Sequence, residues 1–153
     1  MAAWPSISKS AYLDGDKFSA FFKDLAVCYR HEIKALHHAG CRYAQIDETF
    51  LALMCDPKFK VRVEKKGLDF DELLQQYVEL INDSIDIPER QEMTISIHSC
   101  RGNFKSMWFA EGGYERVAKA LFRDIKDRLP MRISRAHVPE DSSRCSTWLK
   151  LAE

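Results

Sequence analysis

Helix-like and strand-like runs alternate along this chain, and that alternation restricts its topology more than any other feature. Phe18, Phe21, Phe22, Leu25, Tyr29, Ile33 and Leu36 recur at three- and four-residue steps, which predicts a first helix closed by His37, His38 and Gly40. Asp14-Gly15-Asp16 supplies a turn and an N-cap ahead of it. Cys41 to Asp47, CRYAQID, reads as a short strand with Tyr43, Gln45 and Asp47 on one face. Glu48 to Val63 reads as a long loop with room for a helical turn, and Cys55-Asp56-Pro57 is turn chemistry within it. Asp69 and Glu72 open a second helix with Leu73, Leu74, Tyr77, Val78, Leu80 and Ile81 as its stripe. The pattern breaks from Asn82 onward, with Pro88 as the stop. A second strand follows, with Met93, Ile95 and Ile97 on one face and Thr94, Ser96, His98 and Cys100 on the other. A third helix starts near Tyr114, with Val117, Ala118, Leu121 and Phe122 as its apolar side.

Strands that alternate with helices pair in parallel, and such folds build their sites at the carboxyl ends of the strands. Asp47 ends the first strand, and His98 and Cys100 end the second. All three are therefore expected at one mouth. An imidazole and a thiolate two residues apart on one face are half of a zinc site. A hydrolase built on the same pair needs a base within reach of the thiol and a third orienting group. His98 and Cys100 project in parallel, and no oxyanion loop is recognisable, which argues against it. Arg101 and Asn103 suit either ligand carboxylates or loop stabilisation, and Phe104, Trp108 and Phe109 are expected to pack rather than stack on a ligand.

Composition narrows the partners. Lysine plus arginine (23) equals aspartate plus glutamate (23), so there is no electrostatic case for nucleic acid or an anionic membrane. No apolar run reaches the ~20 residues that span a bilayer. Five unpaired-looking cysteines point to a reducing, cytoplasmic setting. Cys28 and Cys41 are expected as small buried hydrophobes, and His31, His37 and His38 as solvated residues.

The runs HAGCRYAQIDET, GLDFDELLQQYVELIND and ISIHSCRGNFKSMWFAEGGYERVAKALF resemble the C-terminal catalytic domain of cobalamin-independent methionine synthase, especially its shorter single-domain relatives. The likeness runs from about Tyr12 to Phe122. It implies a β/α barrel with Zn²⁺ at its mouth. It also implies transfer of a methyl group from the N5 of a methyltetrahydrofolate to the sulfur of homocysteine. By that resemblance His98 and Cys100 match two zinc ligands, and Asp47 matches the acid that holds the substrate's amino group.

The likeness ends after Phe122, ahead of the family's third ligand, a glutamate, and its fourth, a cysteine. Glu111, His137 and Cys145 are the remaining residues of suitable type, and a surface role is the simpler reading of each. A closed barrel takes ~250 residues. The expected fold is thus a partial α/β (TIM-type) barrel over 1–122, too short to close on its own, followed by a divergent tail over 123–153. That tail leaves room for one strand, Met131 to Ser134, and a short terminal helix. The alternative to an enzyme is a truncated, non-catalytic remnant that at most binds zinc or a partner chain. Open strand edges would then favour self-association.

Overall fold

The computed structural model describes residues 17–88, 92–102, 109–126 and 131–133, with the backbone alone at 17, 18 and 131–133. The elements are α1 (Lys17–His38), β1 (Tyr43–Glu48), α2 (Phe50–Met54), α3 (Pro57–Lys65), α4 (Phe70–Ile85), β2 (Thr94–Ser99), α5 (Glu115–Lys119) and β3 (Met131–Ile133). A π-helical turn, Ala120–Asp124, extends α5. The sheet has the order β1-β2-β3, and both pairings are parallel. This is an α/β chain whose sheet is unclosed among the described residues.

β2 lies centrally because its residues suit burial on both faces. Ile95 and Ile97 are buried on one side and Ser96 on the other. Against the former pack Leu51, Met54, Val78, Ile85 and Val117, which form the core with them. Asp69 caps α4, accepting from Glu72 N at 2.8 Å, as its position before the apolar stripe predicts. Asn82 then ties α4 to the end of the π turn. Its amide donates to Asp124 O at 2.9 Å, and its oxygen accepts from Lys126 N at 2.8 Å.

Several expectations need correction. The Glu48–Val63 stretch holds two helices rather than a loop. Asp56 is the N-cap of α3, accepting from Lys58 N at 2.7 Å, and Pro57 occupies the first turn. Helix α1 is rolled relative to its large-residue stripe. Phe22, Ala26, Arg30 and Ile33 line the inner side: Phe22 meets Tyr77 edge-on at 6.4 Å, and Arg30 donates to Asp83 O at 2.7 Å. Small Ala26 lets α1 approach α4 closely, so it is buried while Phe21, Tyr29 and Leu36 stay exposed.

Cys28 rides on the exposed side with them instead of being buried, and Cys41 is half-buried. His31 and His38 are solvated as expected, but the His37 side chain is only 13% exposed, with Nε2 3.5 Å from Glu92 Oε2. The strand read at Met131 to Ser134 is present as β3, which registers Met131, Arg132 and Ile133 against Ile97, His98 and Ser99. The Asp14–Asp16 cap lies outside the described residues.

Candidate functional site

Parallel pairing sets Asp47 directly beside His98. Side chains at matched register positions share a face, and here they meet: the Asp47 carboxylate accepts from His98 Nδ1 at 3.0 Å through Oδ1. Gln45, two residues earlier on the same face, donates to that same oxygen at 2.8 Å. These two donors, Gln45 first and His98 second, hold the Asp47 carboxyl below its ordinary value. The group is therefore ionised at neutral pH and can only accept, which makes Nδ1 the donor. The carboxylate is 73% exposed and the imidazole 20%. The pair thus stands at the sheet's carboxyl edge, with the acid outward and the ring half sheltered.

Cys100 follows one residue beyond β2. Its amide donates to Glu48 O at 3.0 Å, so the β1–β2 ladder runs one step past the strand. Fully buried Ser99 separates half-buried His98 from half-buried Cys100, the alternation expected of extended chain. The Cys100 sulfur accepts from Gly102 N at 3.3 Å. Gly102 has φ +82°, and a Cβ there would stand 3.1 Å from the Phe109 Cβ.

Arg101 turns away from the mouth. It is buried, donates to Ala110 O at 3.3 Å and to Gly112 O, and lies 4.8 Å over the Tyr114 ring. Its part is therefore loop stabilisation. Phe109 is not in the core as expected; its amide is tied to Arg101 O at 2.7 Å while its side chain is among the exposed large hydrophobics, at 69%. Glu111 pairs with Lys58 at 3.2 Å on an exposed surface, which fits the surface reading. Asn103, Phe104, Trp108, His137 and Cys145 lie outside the described residues.

The buried acid beneath the edge was not anticipated. Glu48 is 3% exposed, and its Oε1 accepts from Leu51 N at 2.7 Å and from the Tyr77 hydroxyl at 3.1 Å. Burial pushes its carboxyl up, and burial likewise raises Tyr77. The available signal was its spacing: a carboxylate three residues ahead of Leu51 can cap the first turn of α2.

Chemically, this edge offers an ionised carboxylate, an imidazole oriented by it and a thiol. No group of three or more His, Cys, Asp or Glu placed to hold a metal ion occurs among the described residues. No helix there is long and apolar enough to cross a membrane.

A parallel α/β chain with a His-x-Cys rim and a neighbouring acid is the class that fold and site define. Two proteins of Bacillus subtilis (strain 168) are similar to it: the uncharacterized protein YxjG, 40% identical over 106 residues, and the uncharacterized protein YxjH, 40% identical over 107. Each match covers 69% of this chain, and the chain spans only 28% of each relative's length. No family model matches the chain, and no solved structure does.

Proposed function

We propose that this chain carries the thiol-activating part of a methyltransferase of the cobalamin-independent methionine synthase type, within a β/α (TIM-type) barrel that its own strands only begin. The observation that supports this best is the pairing of Asp47 with His98 across β1 and β2, with Cys100 on the next outward position. Asp47 lies at the end of β1 and the His98–Cys100 pair at the end of the neighbouring β2, although Asp47 and His98 are 51 residues apart in sequence.

The donor chemistry fits Zn²⁺. A thiolate and an imidazole are the ligand types zinc favours, and catalytic sites take three protein ligands. His98 and Cys100 supply two, and the Gly102 amide already donates to the Cys100 sulfur. Bound zinc would supply the charge that keeps a substrate thiol deprotonated at neutral pH. Asp47, exposed and ionised, would bind the ammonium group of homocysteine and orient it. Arg101 would hold the following loop so that Cys100 keeps its direction. A methyltetrahydrofolate would be the methyl donor, and a reducing cytoplasm the setting that keeps the thiols free.

A second reading is a non-catalytic remnant that at most binds zinc or a partner chain. It is favoured by the lack of a third donor among the described residues. Metal analysis separates the two. Stoichiometric zinc that is lost in His98→Ala and Cys100→Ser, together with methylation of homocysteine, supports the first reading. A protein that binds no zinc and methylates no thiol sinks it and leaves the second.

A further inference from the structure

We propose that the core just beneath the strand ends holds a resident water molecule, bound by Glu48 Oε2, Ser99 Oγ, Arg101 Nε and Tyr114 Oη. The site lies across the sheet from Asp47 and His98 and stands apart from the methyltransferase reading.

Three observations carry it. The first is the set of donors and acceptors left over. These four atoms are buried and meet no hydrogen-bonding partner among the described residues. The other polar side-chain atoms of Glu48 and Arg101 are engaged. Glu48 Oε1 accepts from Leu51 N and the Tyr77 hydroxyl, and the two terminal nitrogens of Arg101 donate to Ala110 O and Gly112 O. Ser99 is wholly buried, and Glu48, Arg101 and Tyr114 are each at least nine-tenths buried, so bulk solvent does not serve them. Native interiors rarely leave such groups orphaned.

The second is convergence. Parallel register matches Glu48 with Ser99, which puts both side chains on the core face of the sheet. Tyr114 stands at the start of α5 beside Ser99 and Arg101: burial raises its phenol, and those two neighbours act the other way. The Arg101 guanidinium carbon lies 4.8 Å over the Tyr114 ring. Burial raises the Cys55 thiol, which also feels Arg101 and Glu48, so both charged members lie around one neighbour.

The third is chemical type. Arg101 opposes a bound cation, and the Glu48 carboxyl opposes an anion. A neutral molecule with two donors and two acceptors fits, and water is the smallest. It accepts from Arg101 Nε–H and from one hydroxyl, and it donates to Glu48 Oε2 and to the other hydroxyl. Rotation of the hydroxyls accommodates either protonation state of Glu48. Bound there, the water joins β1, β2 and the start of α5 directly beneath the rim that carries Asp47, His98 and Cys100.

A crystal structure of the full chain tests this directly. One ordered water is expected within about 3.2 Å of Ser99 Oγ and of at least two of the other three atoms. The lack of such a peak overturns the proposal, as does density in which the four groups bond directly to one another or to another protein group. Oxygen-17 relaxation dispersion reads the same water in solution. Ser99→Val puts methyl groups where the hydroxyl stood, and its dispersion amplitude is expected to fall by one long-lived water relative to wild type. Equal amplitudes in the two folded proteins overturn the proposal. Should Ser99→Val fail to fold, the wild-type density alone decides.

Discussion

The Tyr77 hydroxyl of α4 donates to the buried Glu48 carboxylate at the end of β1, at 3.1 Å. The opposite oxygen, Oε2, meets no hydrogen-bond donor among the described residues. A carboxylate so placed is poorly compensated when ionised, so its pKa in the folded protein is raised above the ordinary value of 4.5.

The sign of the pH effect follows from linkage. A group whose folded pKa is raised stabilises the fold fully below its unfolded pKa, and that contribution is lost as pH rises through the folded pKa. Glu48 should therefore favour the folded state under acid and lose that contribution above about 4.5. Glu48→Gln, which mimics the neutral form, should flatten this part of the profile. Urea denaturation of both proteins across a pH series would show it, and parallel profiles would refute it. Glu48→Ala should cost about 1–3 kcal/mol by stranding the Leu51 amide and the Tyr77 hydroxyl.

Gly112 cannot accept a side chain. Its φ is +99°, and a Cβ would collide with the carbonyl oxygen of Cys55. Gly112→Ala should destabilise by more than about 2 kcal/mol. Gly67→Ala is the control. Gly67 has φ +75° with open space around it, so its cost should stay near 1 kcal/mol. Equal denaturation midpoints for the two variants would contradict the collision.

The cysteines should separate by reactivity. Burial pushes the Cys55 thiol up to about 12 and shields it, whereas Cys28 is exposed on α1. Iodoacetamide should label Cys28 promptly and Cys55 only as the protein unfolds. Peptide mass spectrometry would resolve the two, and equal labelling rates in native buffer would disprove the burial.

β1 is the terminal strand of the described sheet. Its core-facing Ala44 and Ile46 are half-buried, while their register partners Ile95 and Ile97 are almost wholly covered. An edge unpaired among the described residues, beside a partly covered apolar face, invites further pairing. Sedimentation should show mass growing with concentration through the micromolar range. A single monomeric species throughout would mean that other residues shield the edge.

How legible the fold was depended on how many residues carried each signal. β2 was readable because Met93, Ile95 and Ile97 alternate cleanly with polar neighbours, and α4 because a cap precedes a long stripe. The position of Asp47, His98 and Cys100 at the strand ends was readable from strand polarity, and the structure brings Asp47 and His98 into contact. The α2–α3 segment was not readable. α2 has five residues, too few to show a period, and Asp-Pro serves a turn and a helix start equally well. The roll of α1 was hidden because large apolar residues draw attention, whereas close packing selected Ala26. Glu48 was missed for a related reason, since its burial depends on Tyr77, a distant residue.

The sheet's order also bears on synthesis. Its strands are laid down in the order in which they pair, β1, β2, then β3. A nascent chain can dock each new strand onto the last without threading or waiting for a distant partner. Until Met131 leaves the ribosome, however, β2 presents its second edge bare. That interval, rather than the finished protein, is when a chaperone would have most to hold.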